Sequence, residues 1–134
     1  MRNEYLQYQK QRSGEVYDRV GPDLDTAQLD FYVATHSSFA AIEKEKLVGF
    51  LLAQPLNWIN DWDKTLWLEY IAVRPAHRRK GIGLALISAA KDFARKHEIK
   101  GLLGTLNVDN EESKSLLLRA GFEVKDWRTA SYPL

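Results

Sequence analysis

The chain has 134 residues, with 19 lysines and arginines against 18 aspartates and glutamates, a formal net charge of +1 and no cysteine. This length fits a single domain over residues 1–134, and no apolar run has signal-peptide or membrane-spanning character, so we expect a cytoplasmic protein. The balanced charge argues against nucleic-acid or membrane partners, and the missing cysteines exclude disulfides, thiolate metal sites and a cysteine nucleophile. We assign no metal site.

The first thirty residues are the least informative part of the chain. Gly21-Pro22 breaks any regular element there, and residues 23–30 predict a short helix or a turn. From residue 39 onward, two apolar stretches flank the charged turn 43–46, which indicates a β-hairpin. Its second strand, residues 46–54, is continuously apolar, as expected for a strand buried on both faces.

Pro55 is expected to end that strand, because proline cannot donate to a ladder. A loop over residues 56–64 then leads into a central strand over residues 65–73. A second proline, Pro75, limits this central strand to about Arg74.

A basic glycine loop follows the central strand and leads into a helix. Apolar residues recur with helical spacing from Ile82 to Phe93, and residues 95–97 place cations in the last turn. Gly81 and Gly83 therefore lie at a helix N-terminus, where free N–H groups form an anion site and glycines let a phosphate approach closely. A plain turn with a solvated basic patch explains the same residues, and the loop lacks both the P-loop and the dinucleotide fingerprint.

The rest of the chain predicts three further elements. Residues 101–106 form a short apolar strand, and Asp109 begins a capping box for a helix that ends at Gly121 as its left-handed C-cap. Residues 122–127 make a last strand. The order of elements predicts an α/β (α+β type) domain with a mixed, mostly antiparallel central sheet flanked by helices.

Two segments of the chain resemble the GNAT superfamily of N-acetyltransferases. Arg78-x-x-Gly81-x-Gly83, after an apolar strand ending Ala-Val-Arg-Pro, resembles its acetyl-CoA signature. Residues 110–122 are similar to the family's Asn-x-x-Ala-x-x-Leu-Tyr-x-x-x-Gly-Phe segment. Together the matches cover roughly residues 47–122. The resemblance implies a GNAT-like acyl-CoA N-acyltransferase fold splayed at the central strand, and direct acetyl transfer from acetyl-CoA to a primary amine in a ternary complex.

The resemblance also implies where acetyl-CoA binds. Its pyrophosphate goes to the backbone of the loop and of the first helical turn, and its pantetheine arm pairs with the central strand. The asparagine that begins the second motif, Asn110, is expected to hydrogen-bond near that arm. The cofactor-binding residues implied in this way are Ile71, Ala72, Val73, Arg78, Arg79, Lys80, Gly81, Ile82, Gly83, Leu84 and Asn110.

Glu69 is the candidate general base. An alkyl amine with a pKa of about 10.4 costs roughly 4–5 kcal/mol to deprotonate at pH 7, and a positioned base is worth about 10²–10⁴-fold. Glu69 is a carboxylate within an otherwise apolar strand, where several family members place an acid; a merely salt-bridged glutamate is the alternative. Strict alternation places Tyr70 on the opposite face of the strand.

The acceptor site is predicted on the loop before the central strand. Trp58, Asp61 and Trp62 combine aromatic faces with a carboxylate, which suits a cationic amine, although the tryptophans would equally cap the core. The acceptor stays open between a small-molecule amine and a protein amine.

The chain departs from its family in three places. Leu117 replaces a tyrosine thought to protonate the leaving thiolate, so a CoA-binding domain without catalysis, acting as a sensor or subunit, is the alternative function. The N-terminal part is short for the family's opening helices. The last strand is expected to be stunted or supplied by a partner chain, and the resulting sheet edge near residues 127–132 predicts a homodimer.

Overall fold

The computed structural model describes residues 26–59 and 62–134 of the chain. Its elements are helix α1 (Thr26–Ala34), strands β1 (Phe39–Glu43), β2 (Lys46–Ile59) and β3 (Trp62–Val73), a 3-10 turn (Pro75–His77), helix α2 (Ile82–Lys96), strand β4 (Gly101–Gly104) and helix α3 (Glu111–Arg119). The strands form one sheet in the order β1-β2-β3-β4. The first three are antiparallel and β4 is parallel to β3, so the predicted mixed sheet is confirmed.

The first hairpin is confirmed at the predicted turn. Glu43 pairs with Lys46, so Lys44 and Glu45 form a two-residue turn with φ angles of 48° and 63°. Two consecutive left-handed residues are typical of a type I′ turn, whose twist matches that of the flanking strands.

Strand β2 continues through Pro55, so the prediction that this proline ends the strand is wrong. Pro55 pairs with Leu66 of β3, and the pairing extends to Ile59 opposite Trp62. On its other side, β2 is paired with β1 only as far as Leu51. Proline is tolerated on the open side of a strand, where its missing N–H removes no ladder hydrogen bond. The predicted loop 56–64 is therefore mostly strand.

In the part of the chain that the structure describes, α1 covers one face of the sheet, and α2, with α3 packed beside it, covers the other. Alternation along β2 directs Leu51 and Ala53 towards α2, and Phe50 and Leu52 towards α1. The α2 face is a cluster that includes the buried residues Leu66, Leu86, Ile87, Ala90, Ala94 and Ile99, whereas the α1 face includes Leu29, Tyr32 and Leu47. Among the described residues, no helix is long and apolar enough to cross a membrane. The predicted break at Gly21-Pro22 lies outside the described residues.

The N-cap of α3 is Asn110, so the predicted cap at Asp109 is wrong. The Ser113 N–H donates to Asn110 Oδ1 at 3.0 Å, which is the reach of a capping side chain to the third residue after it. Asp109 lies one residue too early for that contact.

The C-terminus of α3 confirms Gly121 as a left-handed cap, with a φ of 89°. The Gly121 N–H donates to Leu118 O, and the Phe122 N–H donates to Leu117 O, both at 3.0 Å. These two bonds form a Schellman motif.

Residues 122–134 contain no strand, so the prediction of a strand over residues 122–127 is wrong. The Trp127 N–H donates to Lys125 O at 3.1 Å, which is the bond of a tight three-residue turn. Trp127 and Tyr132 are 64% and 86% exposed. The edge expected near residues 127–132 is therefore not a strand edge, and β4, which ends two residues earlier than predicted, is the last strand of the described sheet.

Candidate functional site

The sheet opens between β3 and β4. The two strands pair only over residues 65–68 and 101–104, while β3 continues to Val73. Residues 69–73 of β3 have a strand partner on the β2 side alone among the described residues. A gap therefore begins where β4 ends, directly after Leu68.

Backbone groups of β3 line this gap. The Arg74 N–H donates to Val48 O of β2 at 2.8 Å, so alternation turns the peptide groups of Ala72 towards β2 and those of Ile71 and Val73 towards the gap. Of the three predicted cofactor contacts on β3, Ile71 and Val73 thus have main-chain groups on the side that opens.

A basic loop joins the end of β3 to the N-terminus of α2. Arg79 and Gly81 have φ angles of 61° and 82°, and Gly81 is the N-cap. The Ala85 N–H donates to Gly81 O at 2.9 Å as the first bond of the helix, so the N–H groups of residues 82–84 point out of its N-terminus. Arg79 and Lys80 are exposed beside them.

Gly81 and Gly83 are each favoured at their position for a different structural reason. A Cβ on Gly81 would meet no atom within 4 Å, but its φ is one that other residues adopt only with strain. A Cβ on Gly83 would lie 3.0 and 3.1 Å from the two δ-carbons of Leu116 in α3. Close packing of α2 on α3 therefore gives Gly83 a structural reason of its own, beside the phosphate approach that the sequence suggested.

Arg78 connects the end of β3 to α3. Its Nε donates to Val73 O at 3.0 Å, and its Nη1 lies 3.9 Å from Glu112 Oε2. The predicted phosphate contact of Arg78 thus competes with bonds inside the protein. Asn110, the other predicted contact nearby, has its side-chain oxygen engaged by the cap of α3.

Glu69 occupies a β-bulge at the mouth of the gap. Leu52 pairs with Tyr70 and Ala53 pairs with Leu68, so Glu69 is the extra residue of β3. The prediction that Tyr70 points away from Glu69 is wrong, because the two-residue period does not hold across a bulge. Tyr70 packs on the α1 face of the sheet, and the Glu69 carboxylate lies on that face too.

Two aromatic side chains hold the Glu69 carboxylate. The Trp67 Nε1–H donates to Oε2 at 2.7 Å, and the Tyr32 hydroxyl from α1 donates to the same carboxylate. Burial, then the charge of Glu69 and this hydrogen bond, raise the pKa of the Tyr32 phenol, so its hydroxyl remains a donor at neutral pH. The sequence reasoning missed both donors, although the position of Trp67 two residues before Glu69 was a usable signal.

The predicted acceptor residues are described only in part. Asp61 lies outside the described residues, and only the backbone of Trp58 and Trp62 is described, at the tip of the β2–β3 hairpin. Along β3, Trp62 precedes Glu69 by seven positions, so their backbones are about 23 Å apart at a rise of about 3.3 Å per residue.

Leu117 packs against the core cluster on the α2 face. A leucine cannot donate a proton, so this position contributes no acid to the gap. Among the described residues, no group of three or more histidine, aspartate or glutamate side chains is arranged to hold a metal ion.

Comparisons with known proteins agree with this geometry. A model described as the acetyltransferase (GNAT) family matches residues 3–122 of the chain. An uncharacterised N-acetyltransferase from Methanocaldococcus jannaschii is 36% identical over 83 residues, which cover 60% of this chain and 36% of that protein. The match therefore spans just over a third of the length of that curated relative.

Solved structures share the fold at low sequence identity. The aminoglycoside 6′-N-acetyltransferase AAC(6′)-IG from Acinetobacter haemolyticus superposes with a TM-score of 0.72 at 21% identity, covering 87% of this chain and 86% of that one. AAC(6′)-Iy, in complex with the bisubstrate analogue CoA-S-monomethyl-acetylneamine, gives a TM-score of 0.71 at 23% identity, covering 84% and 81%.

Proposed function

The chain belongs to the GNAT acetyltransferase family, and we propose that it transfers an acetyl group from acetyl-CoA to a primary amine by direct attack in a ternary complex. The observation that carries the proposal is the gap after Leu68. It has Glu69 at its mouth and leads to the glycine loop along the edge of β3 that has no strand partner among the described residues. An extended ligand with amides at one end and a diphosphate at the other suits a strand edge that leads to a helix N-terminus.

Acetyl-CoA is the ligand with that chemistry in this family. The N–H groups of residues 82–84 and the exposed cations Arg79 and Lys80 suit its pyrophosphate. The gap-facing peptide groups of Ile71, and the N–H of Val73, whose carbonyl already accepts from Arg78, suit the amides of its pantetheine arm. The other proposed contacts, as expected from the family motif, are Ala72, Arg78, Gly81, Gly83 and Asn110.

Glu69 is the proposed general base. The attacking amine must lose a proton, which at pH 7 costs roughly 4–5 kcal/mol for an alkyl amine. The Glu69 carboxylate is half-buried and oriented by two donors at the point where the gap opens. A fixed, accessible acceptor of this kind is what general-base catalysis requires.

The acceptor is proposed to be a small-molecule or protein amine that approaches Glu69. The two structural neighbours named above are aminoglycoside acetyltransferases, which makes aminoglycosides sensible first probes for this chain. We place the reaction in the cytoplasm, where acetyl-CoA is made and used, and we propose a homodimer.

A CoA-binding domain without catalysis is the second candidate, favoured by the core position of Leu117. A thiol with a pKa of about 8.5 leaves as thiolate at a cost of about 2 kcal/mol at pH 7, less than half the cost of deprotonating the amine. A missing acid should therefore slow the enzyme without silencing it. This second candidate would be favoured if the parent protein acetylates none of the amines tested and the Leu117→Tyr variant acetylates at least one.

A thermal-shift assay followed by an amine panel tests the proposal. Acetyl-CoA and CoA should raise the Tm, because saturation at about 100 Kd stabilises the native state by about 2.7 kcal/mol, whereas ATP should have little effect. Turnover is then measured as the release of free CoA from acetyl-CoA in the presence of aminoglycosides, polyamines or lysine peptides as acceptors. A Tm that is unchanged by acetyl-CoA would refute both candidates.

A further inference from the structure

Tyr32 links helix α1 to the proposed base. Its ring is 8% exposed and packs in the cluster that contains Leu29, Phe50 and Leu52. A buried tyrosine normally directs its hydroxyl to a polar partner, and here that partner is the carboxylate of Glu69. The contact joins two elements that are far apart in the sequence.

The same end of α1 is tied to the backbone of the bulge. The Thr35 hydroxyl lies 2.7 Å from Tyr32 O and 3.1 Å from Ala53 O. The buried Ser37 hydroxyl donates to Ala53 O at 2.8 Å. Ala53 is the residue at which the pairing of β2 shifts register and Glu69 becomes the extra residue. The end of α1 and the residues just after it therefore contact both the side chain of Glu69 and the segment of β2 opposite its bulge.

Trp67 contacts the carboxylate from a second direction. Its indole N–H donates to Glu69 Oε2 at 2.7 Å. Trp67 belongs to β3, the same strand as Glu69, whereas Tyr32 belongs to α1, the helix that covers this face of the sheet. One donor alone leaves a carboxylate free to turn about its last torsion angle, but two donors from different elements restrict it. An ionised carboxylate can accept both bonds and keep further lone pairs for a substrate proton.

We propose that Tyr32 is a positioning residue for Glu69, holding its carboxylate, together with Trp67, in the orientation in which it accepts the proton of the attacking amine. This inference rests on the proposed acetyltransferase function and extends it to a residue outside the family's two motifs. Tyr32 does not serve as the acid missing at Leu117, because its hydroxyl is engaged by Glu69 and its raised pKa opposes proton loss.

Tyr32→Phe removes the hydroxyl and keeps the ring in its cluster. With the best acceptor of the amine panel, kcat should fall about 10- to 100-fold, since a misplacement near 1 Å can cost about 10²-fold, while the KM for acetyl-CoA stays unchanged. Tyr132→Phe is the matched control, because it removes the same hydroxyl at a side chain that is 86% exposed. The control should behave as the parent protein.

An indole NMR spectrum reports the contact without turnover. The ¹⁵N-labelled protein gives one indole N–H signal for each of its four tryptophans, and Trp67→Phe identifies the signal of Trp67 by its loss. At pH 7 this signal should move in Tyr32→Phe and in Glu69→Gln, and should stay in place in Tyr132→Phe.

The two readouts separate the possible failures. A Trp67 signal that does not move in Tyr32→Phe would overturn the positioning contact, whatever the activity. A signal that moves while kcat stays at the parent value would overturn the catalytic role of that contact. Absence of turnover in the parent protein would instead count against the proposed function itself, and the inference would fall with it.

Discussion

At the residue scale, the bulge explains how a carboxylate is accommodated in a strand of the core. Glu69 is the extra residue opposite Leu52 and Ala53, so its side chain leaves the ladder beside Trp67 and Tyr32. Bulges are common next to active sites because they redirect one side chain without ending the strand.

Glu69→Gln tests the proposed base. The variant keeps the shape but cannot take up the proton, so kcat at pH 7 should fall about 10²-fold or more. The loss should shrink as the pH rises towards the pKa of the amine, because free amine then accumulates without help. Steady-state rates from pH 7 to 10 measure this, with Glu123→Gln, whose side chain is 81% exposed, as control. A parent-like rate at pH 7 would assign Glu69 to structure.

Gly81 is the residue with which to test the cofactor loop. Gly83→Val is unsuitable, because its side chain would push against Leu116 and disturb α3 whether or not a phosphate binds. Gly81→Ala places a methyl in open space beside the free N–H groups, and strains a φ of 82° by roughly 1–2 kcal/mol.

Gly121→Ala is the matched control for that variant. Its φ is 89° and its Cβ would also meet nothing within 4 Å, but it ends α3 instead of beginning α2. We expect both variants to lose a similar amount of thermal stability, and only Gly81→Ala to show a smaller Tm increase with acetyl-CoA. Equal increases in both would remove the loop from the proposed cofactor site.

At the element scale, the two capped ends of α3 define the helix that carries Leu116 and Leu117 to the core cluster. Asn110 begins the helix through Ser113, and the Schellman motif at Gly121 ends it. The side chain of Lys91 in α2 also donates to Ala120 O, which connects the two helices at this end. The C-terminal end of α3 is thus both capped and fixed against α2.

Asn110→Ala and Asp109→Ala distinguish the two possible caps of α3. Loss of the true cap should lower the free energy of unfolding by about 0.5–2 kcal/mol, and loss of the neighbouring carboxylate should change it by only a few tenths. We expect the larger effect for Asn110→Ala in urea denaturation. A larger loss for Asp109→Ala would contradict the hydrogen bond between Asn110 and Ser113.

At the scale of the whole molecule, the sheet ends on a short strand. The outer side of β4 has no strand partner among residues 26–59 and 62–134, and the side chains of Trp127 and Tyr132 are largely exposed. An uncovered strand edge favours pairing with another chain. The homodimer predicted from the sequence thus stays a prediction, with its edge moved from residues 127–132 to β4.

Light scattering during gel filtration checks this assembly. A homodimer should give twice the mass of the chain and dissociate only on dilution, because the strand edge and exposed aromatic surface are buried between two copies. The mass of a single chain at every concentration up to the millimolar range would exclude it.

Local pattern was sufficient to predict several elements of the fold. Helical spacing predicted α2 from Ile82 onward, Pro75 marked the end of β3, and Gly121 marked the end of α3. Each is specified within a few residues, by periodicity, by a missing donor or by a left-handed φ. The two family motifs lie in the same part of the chain, so they indicated the family without knowledge of the tertiary structure.

The geometry around Glu69 was decided by contacts between distant segments. The bulge depends on the register of β2 against β3, and the donor Tyr32 comes from α1. Leu116 of α3 leaves little room for a side chain at position 83, which favours the glycine there. The predicted strand at 122–127 failed for a related reason, since a strand needs a partner edge to pair with. The sequence alone determined α2, the ends of β3 and α3, and the family, because these depend on local pattern. Only the tertiary structure determined which side chains meet at the gap, because that depends on register and on the packing of helices against the sheet.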